Sequence, residues 1–192
     1  MTSDRLLTVA SKTLEFVSGE GQTHRGIKRS ENQDAVLVIQ SEDLRLYAVA
    51  DGMGGTHGGG RASQLAIATL EECVRKVTRW DENTLIAAFQ TVHDRIREDA
   101  ARNPEYANMG TTLVCLALHG DSVYLANIGD SRAYLLRDGK LQRLTMDHTL
   151  VADLVRSGTL SAEQAKSTPI SHMLSQSLGS DAPLETDAWI GS

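Results

Sequence analysis

Short apolar runs alternate along the chain with longer stretches of helical spacing. AVLVIQ (35–40) and LRLYAVA (44–50) are rich in β-branched and aromatic residues and flank a polar Ser-Glu-Asp, which predicts two strands joined by a tight turn with Asp51 at the second strand's tip. From Arg61 to about Arg79, Leu65, Thr69, Cys73 and Val77 recur every fourth position and Leu70 and Val74 widen the stripe, the signature of an amphipathic helix. A second helix follows, with Asp81 as its N-cap, Leu85, Phe89, Val92 and Ile96 as its apolar stripe, and an end before Pro104. TTLVCLAL (111–118) is too continuously apolar for a strand with one wet face and is expected to be covered on both sides. A meander follows in SVYLAN (122–127), RAYLLR (132–137) and KLQRL (140–144), the last two joined by Asp138-Gly139, a strong hairpin signal. Residues 148–165 read as a helical segment, a Gly158 stop and a short helix starting at Ser161. Strands, two helices and then strands again predict an α+β sandwich rather than a one-by-one alternation of strand and helix.

Within this pattern YAVADGMGGTHGGG (47–60) stands apart, with six glycines in the nine positions from Gly52 to Gly60. Glycine offers no packing and loses the most entropy on folding, so such density implies a sharp bend or a close backbone approach beside Asp51. The dinucleotide fingerprint fails in either frame, because the third glycine or the middle slot falls on His57 or Thr56, and no Gly-Lys-Ser/Thr follows to make a Walker loop. A nucleotide-binding or kinase-like protein is thereby disfavoured.

Composition narrows the class further. With 192 residues and 41% hydrophobic content, the chain is long enough for one sizeable core, and a formal charge of −6 argues against a nucleic-acid or membrane surface. Cys73 and Cys115 lie far apart in apolar settings, as buried thiols of a reducing compartment do. The start MTSDRLLTVASK lacks the basic, long apolar form of a secretion signal, and no run is long enough to span a bilayer, so a cytoplasmic protein is expected.

Three aspartates stand where strands end or turn: Asp34 in RSENQDAV, Asp51 in AVADGMGG and Asp130 in NIGDSRAY. A lone aspartate in such a place is ordinarily a turn or capping residue. Several together suit a hard divalent cation, which takes oxygen ligands and keeps several waters, and the Gly52 carbonyl is a natural further donor. Arg29, five residues before Asp34, is ordinarily a solvated charge, but near metal ions its guanidinium is a fork for phosphate oxygens.

From about Gln22 to Ala188 the chain resembles the metal-dependent serine/threonine protein phosphatases of type 2C, especially the compact bacterial kind. The resemblance rests on GIKRSENQDAV (26–36), YAVADGMGG (47–55), MGTTLVCLAL (109–118), VYLANIGDSRAYLLRDGKLQRLTMDHTL (123–150) and HMLSQSLG (172–179), in the family's order. It implies a four-layer α-β-β-α sandwich of two antiparallel sheets flanked by helices. It also implies hydrolysis of phosphoserine or phosphothreonine in proteins by metal-activated water, with Arg29 binding phosphate, Asp34 and the bridging Asp51 binding metal with the Gly52 carbonyl, and Asp130 serving a third, weaker site. The cofactors implied are Mn²⁺ or Mg²⁺ at two core sites, and the partners phosphorylated Ser/Thr proteins with a cognate protein kinase system. Residues 149–171 correspond to the flap. His57 is a tempting general acid, yet the slot where some relatives carry a histidine holds Met53, so His57 reads as a mobile loop residue; His148 reads as structural.

The family pattern continues beyond LETDAWIG into two further aspartate motifs that complete one core metal, and this sequence stops before them. The expectation is one phosphatase-like domain over 1–192 lacking its C-terminal portion, with reduced or absent activity. The alternative is a non-catalytic phosphatase-like binding or regulatory module. Asp181 and Asp187 fall where the family places no ligand.

Overall fold

The computed structural model describes residues 17–191, apart from the side chains of Thr56 and His57. Strands β1 (Asp34–Gln40) and β2 (Leu44–Met53) form the predicted hairpin. Across β2 lies β4 (Leu113–His119), then β5 (Ser122–Ile128), then β8 (Asp187–Gly191), and the two-residue β3 (Gly110–Thr111) pairs with the end of β2. Every pairing is antiparallel.

Strand alternation sends one set of side chains inward: Leu37 and Ile39 from β1, Leu46, Ala48 and Ala50 from β2, Leu113, Cys115 and Ala117 from β4, and Ala126 and Ile128 from β5. Helices α1 (Gly55–Arg75) and α2 (Thr84–Arg102) cover this face with Ala62, Ala66, Leu70 and Val74 from the first, and Leu85, Phe89, Val92 and Ile96 from the second. Each large side chain so buried stabilises the fold by roughly 1.5–3 kcal/mol. Arg61 makes a two-point ion pair with Asp99 (3.0 and 2.8 Å) that joins the helices. At the far end Trp80 stacks on His119 and leans on Tyr124, pinning the interhelical linker to the sheet.

β6 (Tyr134–Arg137) and β7 (Lys140–Arg143) form a separate two-stranded sheet, with Asp138 and Gly139 both at positive φ as their turn requires. The expected meander therefore breaks after β5, whose free edge is taken by β8 instead. Helices α3 (Leu150–Arg156) and α4 (Ala162–Lys166) follow, the second opened by the capping box of Ser161 and Gln164. The α+β class and the antiparallel sheets flanked by helices are as expected. Among the described residues the second sheet is the β6–β7 hairpin alone. Consequently the six-stranded sheet is covered unequally: Leu113, Cys115 and Ala117 are fully buried, whereas on the opposite face Leu116 of β4 is half-buried and Val49 of β2 is 44% exposed.

Three boundaries differ from the sequence expectation. β2 runs on through Asp51 to Met53, because Asp51 pairs with Asp34 and Gly52 with Thr111. α1 begins at Gly55, six residues before the expected start at Arg61, because its glycine-rich first turns are held by backbone packing that helix propensity does not register. The helix α2 starts at Thr84, and Asp81 instead closes the preceding turn by accepting from the Asn83 N–H. Among the described residues no helix is long and apolar enough to cross a membrane.

Candidate metal centre

Register and alternation bring the first two acids together. Asp34 and Asp51 are direct cross-strand partners, and since Leu37, Ile39, Ala48 and Ala50 point to the helices, both carboxyls lie on the opposite face. The Asp34 carboxyl lies near enough to oppose the charge on Asp51. Partial burial raises the Asp51 carboxyl above its ordinary range, the Asp34 charge and the Asp130 charge raise it further, and Arg29 opposes them.

Arg29 donates through Nη1 to Oε1 of Gln33 and, with Asp51, Gly52 and Gly55, lines an open cleft of about 650 Å³. Gln33 ties three parts of the site, since its Nε2 donates to the Gly55 carbonyl (2.7 Å) and its own carbonyl accepts from the Gly52 N–H (3.0 Å). No sequence signal marked Gln33, because a glutamine between two motif residues has no period or spacing of its own.

The glycine cluster is chiefly a packing device. A Cβ at Gly52 would lie 1.9 Å from the Gly59 carbonyl oxygen, and one at Gly59 would lie 2.6 Å from that of Gly52. The start of α1 thus presses its backbone directly onto the end of β2, and the absent Cβ of Gly59 leaves the Gly52 carbonyl uncrowded. His57 belongs to the first turns of α1 rather than to a loop, and its side chain lies outside the described residues.

Asp130 sits in the turn after β5, preceded by Gly129 at φ 93°. Thr112 and Ser131 on one side and His148 on the other hold this turn. The Gly129 N–H donates to Nδ1 of His148 (3.2 Å), so the ring proton resides on Nε2 and is donated to Asp187 (2.9 Å). That bond holds the Asp187 carboxyl below its usual range. His148 is 5% exposed, in keeping with its structural reading, and Asp187 is its partner.

The donor set of Asp34, Asp51 and the Gly52 carbonyl fits a hard divalent cation, because its chemistry is all oxygen and the neighbouring acids otherwise work against the charge of Asp51. Among the described residues no three His, Cys, Asp or Glu side chains converge on one position, so Asp130 acts on the pair through its charge and not as a third member of the cluster.

The family model for protein phosphatase 2C matches residues 20–176. The serine/threonine phosphatase stp of Listeria monocytogenes is 36% identical over 177 residues, covering 89% of this chain and 70% of that relative. The S. agalactiae serine/threonine phosphatase superposes with a TM-score of 0.80 at 32% identity, over 88% of this chain and 72% of that one. The catalytic domain of the serine/threonine protein phosphatase PstP, crystallised with two manganese ions, superposes with a TM-score of 0.72 at 34% identity, over 88% and 69%.

Proposed function

The chain belongs to the protein phosphatase 2C family, and from this membership we propose that it hydrolyses phosphoserine and phosphothreonine in proteins with the help of Mn²⁺ or Mg²⁺. The observation that carries the reading is Asp51, the cross-strand partner of Asp34, lining the same cleft as Arg29. Bound there, two divalent cations supply Lewis acidity and lower the pKa of water to near neutrality. Asp34, Asp51 and the Gly52 carbonyl hold the core ions, and Asp130 serves a third, weaker site. Arg29, steadied by Gln33, takes the phosphate oxygens and orients phosphorus toward the acids. Water oxygen bonds to phosphorus, the bond to the serine or threonine oxygen breaks, and a proton from that water ends on the departing oxygen, which leaves as the alcohol. Residues 149–171, carrying α3 and α4, act as the flap beside the cleft. The substrates are phosphorylated proteins, supplied by a cognate protein kinase.

The lack of a three-acid cluster among the described residues favours a second reading, a phosphatase-like binding module. Hydrolysis of p-nitrophenyl phosphate and a phosphothreonine peptide, with and without Mn²⁺, separates the two. The expected result is slow, Mn²⁺-stimulated turnover that drops about a hundredfold or more in Asp51→Asn. Turnover indifferent to Mn²⁺ or to Asp51, or none at all, sinks the catalytic reading in favour of the module.

A further inference from the structure

Asp51 and Asp130 arise from sequence segments far apart, and a single buried residue bonds both places. Thr112, 3% exposed, lies between β3 and β4 beside the end of β2. Its Oγ1 accepts from the Asp51 N–H (3.1 Å), its N–H donates to the Asp51 carbonyl (3.0 Å), and the neighbouring Thr111 hydroxyl donates to that same carbonyl (3.0 Å). The Asp51 backbone is thus fully engaged by this pair of threonines. On its other side the Thr112 hydroxyl meets the Ser131 hydroxyl at 2.6 Å, one residue past Asp130. Either hydroxyl can donate in this bond, because Oγ1 of Thr112 has a second lone pair after accepting from Asp51.

The contact is steric as well as polar. A Cβ at Gly129 would lie 2.5 Å from Cγ2 of Thr112, so the turn carrying Asp130 lies flat on this side chain. Behind it, Gly129 exchanges two bonds with His148, giving its N–H to the ring and accepting the His148 N–H at its carbonyl (3.0 Å). Asp130 is therefore flanked by two fixed neighbours, Gly129 held by His148 and Ser131 held by Thr112.

We propose that the Thr112–Ser131 hydroxyl pair is a positioning element that sets Asp130 relative to Asp51, and so tunes divalent-cation binding at Asp51 through the charge of Asp130. The role rests on the phosphatase reading and deepens it. Neither hydroxyl touches the substrate; each acts through the aspartate beside it.

The test is Mn²⁺ binding by isothermal titration calorimetry on the 192-residue chain, with Mn²⁺ half-saturation of p-nitrophenyl phosphate hydrolysis alongside. Thr112→Val keeps the shape and removes the hydroxyl, Thr112→Ser keeps the hydroxyl, and Ser131→Ala removes the other half of the pair. Thr112→Val and Ser131→Ala are each expected to weaken Mn²⁺ binding about three- to tenfold, the range of one hydrogen bond, and Thr112→Ser to stay within about twofold of wild type. In an Asp130→Asn background, Ser131→Ala is expected to add less than about twofold, because its effect passes through the acid already removed. Thermal midpoints of all variants separate loss of fold from loss of position. Wild-type binding matched by Thr112→Val, or a Ser131→Ala loss undiminished in Asp130→Asn, overturns this inference alone. A wild-type chain that takes up no Mn²⁺ overturns the phosphatase reading and this inference with it.

Discussion

The side chain with the most concentrated ionic bonding in the described residues is Asp147, beside the candidate site but not in it. It accepts from Nε and Nη2 of Arg132 (2.8 and 2.5 Å) and from Arg143 (3.2 Å) with a side-chain exposure of 13%. Burial works against its charge, but the two guanidiniums prevail and hold its carboxyl below the ordinary value of 3.8. A carboxyl lowered in the folded state contributes stability that is complete above its unfolded value and fades as pH falls through the folded one. Asp147→Asn is therefore expected to lower stability by about 1–2 kcal/mol near neutrality, a figure discounted for the half-exposed arginines. The gap to wild type should close as pH falls below about 4, the range of the unfolded carboxyl. Urea unfolding of both proteins across that range checks it, and a gap that widens on acidification sinks the account.

At the scale of elements, the crowded meeting of β2 and α1 orders the glycine substitutions. Gly59→Ala puts a methyl 2.6 Å from the Gly52 carbonyl, where backbone must move, and is expected to cost about 2–3 kcal/mol. Gly55→Ala meets nothing within 4 Å and only has to hold φ at +81°, which costs about 1 kcal/mol. Thermal unfolding of the two variants decides the order, and equal losses would refute backbone contact as the cause. The same junction shows where the sequence was legible. Periodicity located β1, β2, β4, β5, the Asp-Gly hairpin and both long helices, because each carries its own apolar pattern. It placed the start of α1 too late, since glycines have no apolar face and their reason for being there is a partner segment elsewhere in the chain. It missed β8, whose only large apolar residues are Trp189 and Ile190. Of the site, Asp34, Asp51 and Asp130 were readable as acids at strand ends, whereas Gln33, Thr112 and Asp187 function through bonds to distant residues that no local spacing encodes.

For the whole molecule, the two faces of the main sheet are unlike. The helix side is dry, while on the opposite side Val38 and Val49 are 36% and 44% exposed, and the β6–β7 hairpin presents Leu136 and Leu141 at 69% and 68%. Apolar surface of that extent binds hydrophobic dyes. The native chain is expected to enhance anilinonaphthalene sulfonate fluorescence, and Val38→Thr with Val49→Thr to reduce it. A signal untouched by the pair would place the dye elsewhere. The bond from His148 to Asp187 has a different consequence, for which parts of the chain the cleft depends on. β5 and β8 are neighbours in space but are separated in sequence by the β6–β7 hairpin, α3 and α4, so their pairing is a long-range contact, as is that of β2 with β4. Asp187 enters the sheet opposite Asn127, and there it gives His148 the acceptor that fixes its ring against Gly129. The strand that closes the free edge of β5 thus also sets the ring that holds Gly129, so the shape of the turn bearing Asp130 depends on a segment well beyond it in sequence.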